Sequence, residues 1–146
     1  MPRIARRRIF DGVLGLAALL LAPLADPSAA LARSAGCRGT LSVSTQIFFG
    51  TRKPDGSEVS REDWEGFVTE VLVPAFADGF TVLSARGYWR DRPLEPTQTE
   101  GSMVVLRVHK GRPGDQAAIE GVIAAYKKQF QQKSVLQQSH QVCAIF

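Results

Sequence analysis

The chain has 146 residues, 45% of them hydrophobic and 22% charged, and a formal net charge of +4. That length suits one domain rather than two, and it allows a core that buries roughly two-thirds of the unfolded surface without help from metals. Four arginines (Arg3, Arg6, Arg7, Arg8) and two aspartates (Asp11, Asp26) sit in residues 1–32, so the remainder carries only +2. This ordinary balance gives no reason to expect nucleic acid or anionic lipid as a partner.

The chain opens with Arg6-Arg7-Arg8, then Ile9-Phe10, an apolar run over residues 13–24, and Ala30-Leu31-Ala32. Positive, then apolar, then small-x-small predicts a secretory signal peptide cleaved after Ala32, and hence a periplasmic or secreted protein. Arg6-Arg7 fits a twin-arginine pattern loosely, but Sec signals also begin with several positive charges, so the export route stays open. The apolar run is short of the roughly 20 residues a membrane span needs, Pro23 breaks its end, and Asp26 and Pro27 follow at once; no stable span is expected. A lipid anchor at Cys37 is the weaker alternative. Ser34-Ala35-Gly36 suits lipoprotein processing in size, yet Ser34 stands where an aliphatic residue belongs.

Residues 33–40 are a small, polar lead-in. Residues 41–49 alternate, with Leu41, Val43, Ile47 and Phe49 on one side, which predicts a half-buried strand. Lys53-Pro54-Asp55-Gly56 is a turn, since proline presets φ and glycine accepts positive φ. Ser60 and Asp63 form an approximate capping box opening a helix whose stripe is Trp64, Phe67, Val68, Val71 and Leu72. Pro74 lacks an N–H, so regular helix should fail near it. A second strand is predicted over residues 80–89, with Gly87 a bulge or close approach. Residues 91–101, with Pro93 and Pro96, read as a hairpin loop, and 103–110 as the third strand. Asp115 is the expected cap of a second helix buried through Ile119, Val122, Ile123, Tyr126 and Phe130. A last strand runs from about residue 135 to 145.

Strand, helix, strand, strand, helix, strand is the order of an α+β, ferredoxin-like βαββαβ domain over residues 33–146. Its four-stranded antiparallel sheet carries two helices on one face. In that arrangement the first and last strands are antiparallel neighbours. Cys37 precedes one and Cys143 ends the other, so a disulfide is expected outside the cytosol. Two free buried thiols are the alternative. A catalytic thiol is disfavoured, because neither cysteine has a nearby histidine or a CxxC partner.

Phe48-Phe49-Gly50, Pro54-Asp55-Gly56, residues 59–64 (VSREDW), Val73-Pro74-Ala75-Phe76, residues 78–82 (DGFTV) and Gly87-Tyr88-Trp89-Arg90 form an ordered series. Ala125-Tyr126-Lys127 and Ser134-Val135-Leu136 continue it. On these stretches the chain resembles a family of small secreted bacterial proteins catalogued as domain of unknown function three-five-seven-four. The resemblance implies export and this fold, with cysteines in the places of Cys37 and Cys143, and it brings no activity. The family pattern has His-Pro after the third strand; here the pair is His109-Lys110.

A sheet with helices on one side leaves the other face open. If Val104, Leu106 and Val108 face the helices, then Arg107 and His109 point to the open side with Val105 between them. Tyr88, Trp89 and Arg90 end the neighbouring strand. These five residues are the predicted ligand site, suited to a small anionic or aromatic molecule through stacking and charge-assisted hydrogen bonds. The plain reading is that Trp89 packs under the hairpin loop and His109 is a solvated strand end. A non-catalytic binding or interaction module is therefore expected, with a homodimer through Phe48 and Val105 on the open face as a further expectation. The alternative is a small cofactor-independent enzyme of the dimeric ferredoxin-like barrel type, with His109 moving a proton. No serine–histidine–aspartate set, phosphate loop or metal-ligand spacing is present, so no cofactor or metal is expected. Arg86-Gly87-Tyr88-Trp89 is only loosely like the aromatic motif of RNA-recognition sheets and sits on the wrong strand for it.

Overall fold

A computed structural model describes residues 36–90 and 92–146; the predicted signal peptide, residues 1–32, lies outside the described residues. The alternating first segment is strand β1 (Thr40–Gly50). It is followed by helix α1 (Arg61–Phe67), strands β2 (Thr81–Trp89) and β3 (Gln98–His109), helix α2 (Pro113–Gln129) and strand β4 (Leu136–Ala144). The sheet order is β2-β3-β1-β4, and every pairing is antiparallel. β1 and β3 are therefore the central strands, and β4 lies beside β1 as expected.

The helices cover one face of this sheet. Ile47 and Phe49 of β1 and Val105 of β3 are fully buried with Phe67, Leu72, Ile119, Val122 and Tyr126. The Phe49 ring lies 4.6 Å from Tyr126 and 6.0 Å from Phe67, centroid to centroid. Each large side chain so buried contributes about 1.5–3 kcal/mol relative to exposure.

The start of α1 follows its sequence signal. Asp63 N–H donates to Ser60 Oγ at 3.0 Å, and Ser60 N–H donates to Asp63 Oδ2 at 3.3 Å, closing the capping box. Its end is less regular than a simple stop at Pro74. The helix widens into a π-helical segment, Val68–Leu72, and closes with Val73–Ala75. Pro74 offers no N–H to the preceding turn, whereas Val73 N–H reaches back to Val68 O. The wider turn also has a packing consequence. Phe67 and Leu72 are five residues apart, more than a regular helical turn, yet both are fully buried.

Strand β3 begins at Gln98, earlier than the expected Met103, because Gln98 pairs with Trp89 and Ser102 with Ala85 in one long hairpin ladder. Asp115 is not the N-cap of α2. Arg112 holds that position with Pro113 following, and Asp115 reaches back from the first turn to accept the Arg112 N–H at 2.9 Å. Cys37 and Cys143 form a disulfide with Cα atoms 5.4 Å apart, tying the lead-in of β1 to the end of β4. Such a bond fits an oxidising compartment. No helix among the described residues is long and apolar enough to cross a membrane.

Candidate functional site

The predicted site residues divide between the two faces of the sheet. β1 and β3 pair Ile47 with Val105, Thr45 with Arg107 and Val43 with His109. Directly paired residues share a face, so β3 turns the same face to the helices as Ile47 and Phe49 do. Arg107, His109 and Val105 are thus buried under the helices, and Val104, Leu106 and Val108 lie on the open face. This reverses the expected orientation. The apolar triad looked like the core-facing set, but register with β1 decides the matter and the polar pair is neutralised in place.

That neutralisation is specific. Arg107 Nη2 donates to Asp115 Oδ1 at 2.7 Å, and its guanidinium carbon lies 4.9 Å from the Phe76 ring centroid. Asp78 is a longer, exposed second carboxylate at 3.8 Å. Gly111 N–H is directed at His109 Nδ1 at 3.1 Å, Nδ1 also stands 3.4 Å from Asp115 Oδ2, and Nε2 on the far side of the ring is 2.9 Å from Thr45 Oγ1. Thr45 Oγ1 in turn lies 2.8 Å from Ser139 Oγ. Gly111 makes its bond from a left-handed backbone conformation, φ +70°. Burial pushes the Asp115 carboxyl up, but the Arg112 N–H, the Arg107 guanidinium and the charge of His109 outweigh it and hold its pKa below the ordinary value.

The remaining predicted residues part company as well. Tyr88 and Trp89 line a groove of about 640 Å³. Arg90 does not; it braces the hairpin, donating to Pro93 O at 3.1 Å and to Thr97 Oγ1 at 2.8 Å. Open-face residues Phe48, Gly50, Glu100 and Ser102 line the groove from the sheet. The loop after β1 brings Arg52 and Lys53 to it, and the segment before β4 brings Lys133. Its size is that of a small-molecule site.

Glu100 is the groove residue that sequence reasoning missed. It pairs with Gly87 on β2, and its carboxylate lies over Gly50: a Cβ at Gly50 would stand 2.7 Å from Oε1. Gly50 therefore makes room for a carboxylate on the open face, whereas a Cβ at Gly87 would meet Glu100 only at an ordinary 3.8 Å. Its one hydrogen bond from the protein is a long one, 3.4 Å, from Arg52 N–H. No cationic side chain among the described residues lies within ion-pair distance of it. Behind the sheet, Tyr126 donates to Gly50 O at 3.0 Å; burial first, then the charge of Glu100, raise its hydroxyl pKa well above the usual value. A glycine facing that carboxylate was the available signal, and it needs the strand register to be read. Among the described residues no group of three His, Cys, Asp or Glu is placed to hold a metal ion.

The fold has solved likenesses. A phage SAM lyase in complex with S-methyl-5'-thioadenosine is 15% identical, with a TM-score of 0.52, over 70% of this chain and 90% of that one. The apo state of a phage SAM lyase is 14% identical, with a TM-score of 0.53, over 75% and 94%. At that identity the likeness is one of fold alone. No curated protein matches the chain. The sequence pattern of the family described as protein of unknown function, DUF3574, matches residues 44–146, and the chain belongs to that family.

Proposed function

We propose that residues 33–146 form one exported domain of ferredoxin-like topology that binds a small molecule in the groove of its open sheet face, without catalysis. The observation that carries this reading is the groove itself: Trp89 stands on the open face beside the Glu100 carboxylate, with the exposed Tyr88 next to it in the lining and three basic residues brought in by the loops. The antiparallel order β2-β3-β1-β4 supports the topology, and the Cys37–Cys143 bond together with the arginine-led apolar leader supports export. Of the five predicted ligand residues, Tyr88 and Trp89 remain in this proposal. Arg107, His109 and Arg90 have structural partners elsewhere. Proton transfer by His109 is disfavoured because the groove lies on the other side of the sheet. Beyond the groove, Leu83, Val104, Leu106 and Val108 continue the open face, which suits the homodimer as a companion proposal.

Native mass spectrometry of the protein purified from its own periplasm tests both proposals. A retained small molecule, lost in Trp89→Ala with folding intact, is the expected result. Its persistence in Trp89→Ala would place the ligand elsewhere and overturn the groove reading. A monomer at all concentrations would remove the dimer.

The solved likenesses favour one second reading, in which the groove takes a purine nucleoside thioether. Calorimetric titration with S-methyl-5'-thioadenosine decides it, since absence of heat at millimolar ligand rules that reading out.

A further inference from the structure

We infer that the ligand of this groove is a zwitterion with an apolar body, its ammonium seated against Glu100 and Trp89 and its anionic group turned toward Arg52, Lys53 and Lys133. The inference rests on the groove being the binding site and adds the chemical class of its occupant.

Three observations carry it. The first is the state of Glu100. Among the described residues Glu65, Asp78, Glu95 and Asp115 each have a cation within 4 Å, and the other carboxylates without one, Asp55, Glu58, Glu62, Asp63, Glu70 and Glu120, are exposed to water. Glu100 is half-buried in the groove and has only a long backbone N–H. An ionised carboxylate drawn partly out of water gains from a cation, and here the protein supplies none.

The second is what surrounds that carboxylate. Trp89 pairs with Gln98, one step along the same face from the Gly87–Glu100 pair, so indole and carboxylate are diagonal neighbours on the sheet. Phe48 and Leu136, opposite each other on β1 and β4, continue the lining on the far side of Gly50. A negative group beside aromatic faces attracts an organic cation twice over, through the carboxylate and through the ring quadrupole. An anion in the same position meets like charge.

The third is the placement of the basic residues. Arg52, Lys53 and Lys133 come from loops where the sheet ends, whereas Glu100 and Trp89 stand on strands. Within the groove the positive groups are thus loop-borne and the negative one strand-borne, and no basic side chain among the described residues is ion-paired to Glu100, although the Arg52 backbone N–H reaches it. A ligand that bears one charge alone satisfies one set of groups and opposes the other.

Three compounds of one shape test this: L-phenylalanine (zwitterion), phenethylamine (cation) and 3-phenylpropionate (anion). Each is titrated against the isotope-labelled mature protein, and the Trp89 indole resonance is followed by NMR. Phenylalanine is expected to bind most tightly. Glu100→Gln, nearly isosteric, is expected to weaken phenylalanine and phenethylamine by roughly tenfold or more and to leave 3-phenylpropionate unchanged or tighter. Retained 3-phenylpropionate binding shows that the variant is folded. If the anion binds wild type as tightly as phenylalanine, or Glu100→Gln leaves phenylalanine unaffected, the zwitterion inference is wrong and the groove reading survives. If none of the three moves the Trp89 resonance at millimolar concentration, groove and inference fall together.

Discussion

The guanidinium of Arg107, in the middle of the sheet, donates to the carboxylate of Asp115 at 2.7 Å across the interface between sheet and helix layer. Both side chains are nearly inaccessible, 5% and 13% exposed. The pair fixes where the first turn of α2 sits on β3, and it makes a charged strand position compatible with a buried face. Two further guanidinium nitrogens, Nε and Nη1, are buried without a hydrogen-bond partner, while Phe76 covers the guanidinium.

Removing one member should therefore hurt more than removing both. Asp115→Ala leaves a buried cation with only the exposed Asp78 carboxylate, 3.8 Å away, and is expected to cost about 3–5 kcal/mol of stability. Arg107→Met in the same chain should restore most of that loss, less the Arg112 N–H that Asp115 also satisfied. Urea unfolding of the single and double variants measures the coupling. A loss below about 1 kcal/mol for Asp115→Ala would show that the pair carries little.

Acid should act through the same carboxylate. The pKa of Asp115 is lower in the folded protein than its ordinary 3.8, so its stabilisation is complete above that value and disappears as pH falls through the depressed folded value. The urea midpoint should decline below about pH 4, and Asp115→Asn should flatten that decline while lowering the plateau. Asp63 has a lowered pKa too, from the Ser60 hydroxyl and N–H, but it is fully exposed and adds only a minor slope. An unchanged acid slope in Asp115→Asn would move the effect to another group.

Reduction of Cys37–Cys143 opens a loop spanning a sequence separation of 106. The chain-entropy account of the denatured state gives a loss of about 4–5 kcal/mol. Guanidinium unfolding with and without reductant should show it as a lower midpoint with little change in the native near-ultraviolet signal. A shift of less than about 1 kcal/mol would mean that the denatured ends stay close without the bond.

Gly50→Ala separates stability from binding. The new methyl would meet Glu100 at 2.7 Å, but the obstacle is the far end of a flexible side chain, so the carboxylate swings away. Stability should change by within about 1 kcal/mol, as for other changes met by a mobile side chain. Ligand uptake at the groove should fall nonetheless, because the carboxylate has left its place over residue 50. Full binding in Gly50→Ala would show that the position of Glu100 is immaterial.

The elements were legible because each is written in local chemistry. Residues 41–49 alternate, Ser60 and Asp63 close a capping box, and Gly56 turns with φ +85°. The disulfide followed from adjacency of the first and last strands. The site was only half legible. Tyr88 and Trp89 do line the groove, whereas Arg107 and His109 looked like open-face residues because Val104, Leu106 and Val108 are the more apolar set.

What the amino-acid order determined alone was therefore the alternation within each strand, the caps and breaks of the helices, and the family. What tertiary structure decided was which side of β3 meets the helices, and so where every charge on it lies. Alternation separates a strand into two faces but does not say which is inside. That choice is made by the register against β1 and by Asp115, a partner from the next helix that local pattern does not point to. Glu100 follows the same rule, since the space its carboxylate occupies is left by Gly50 on another strand.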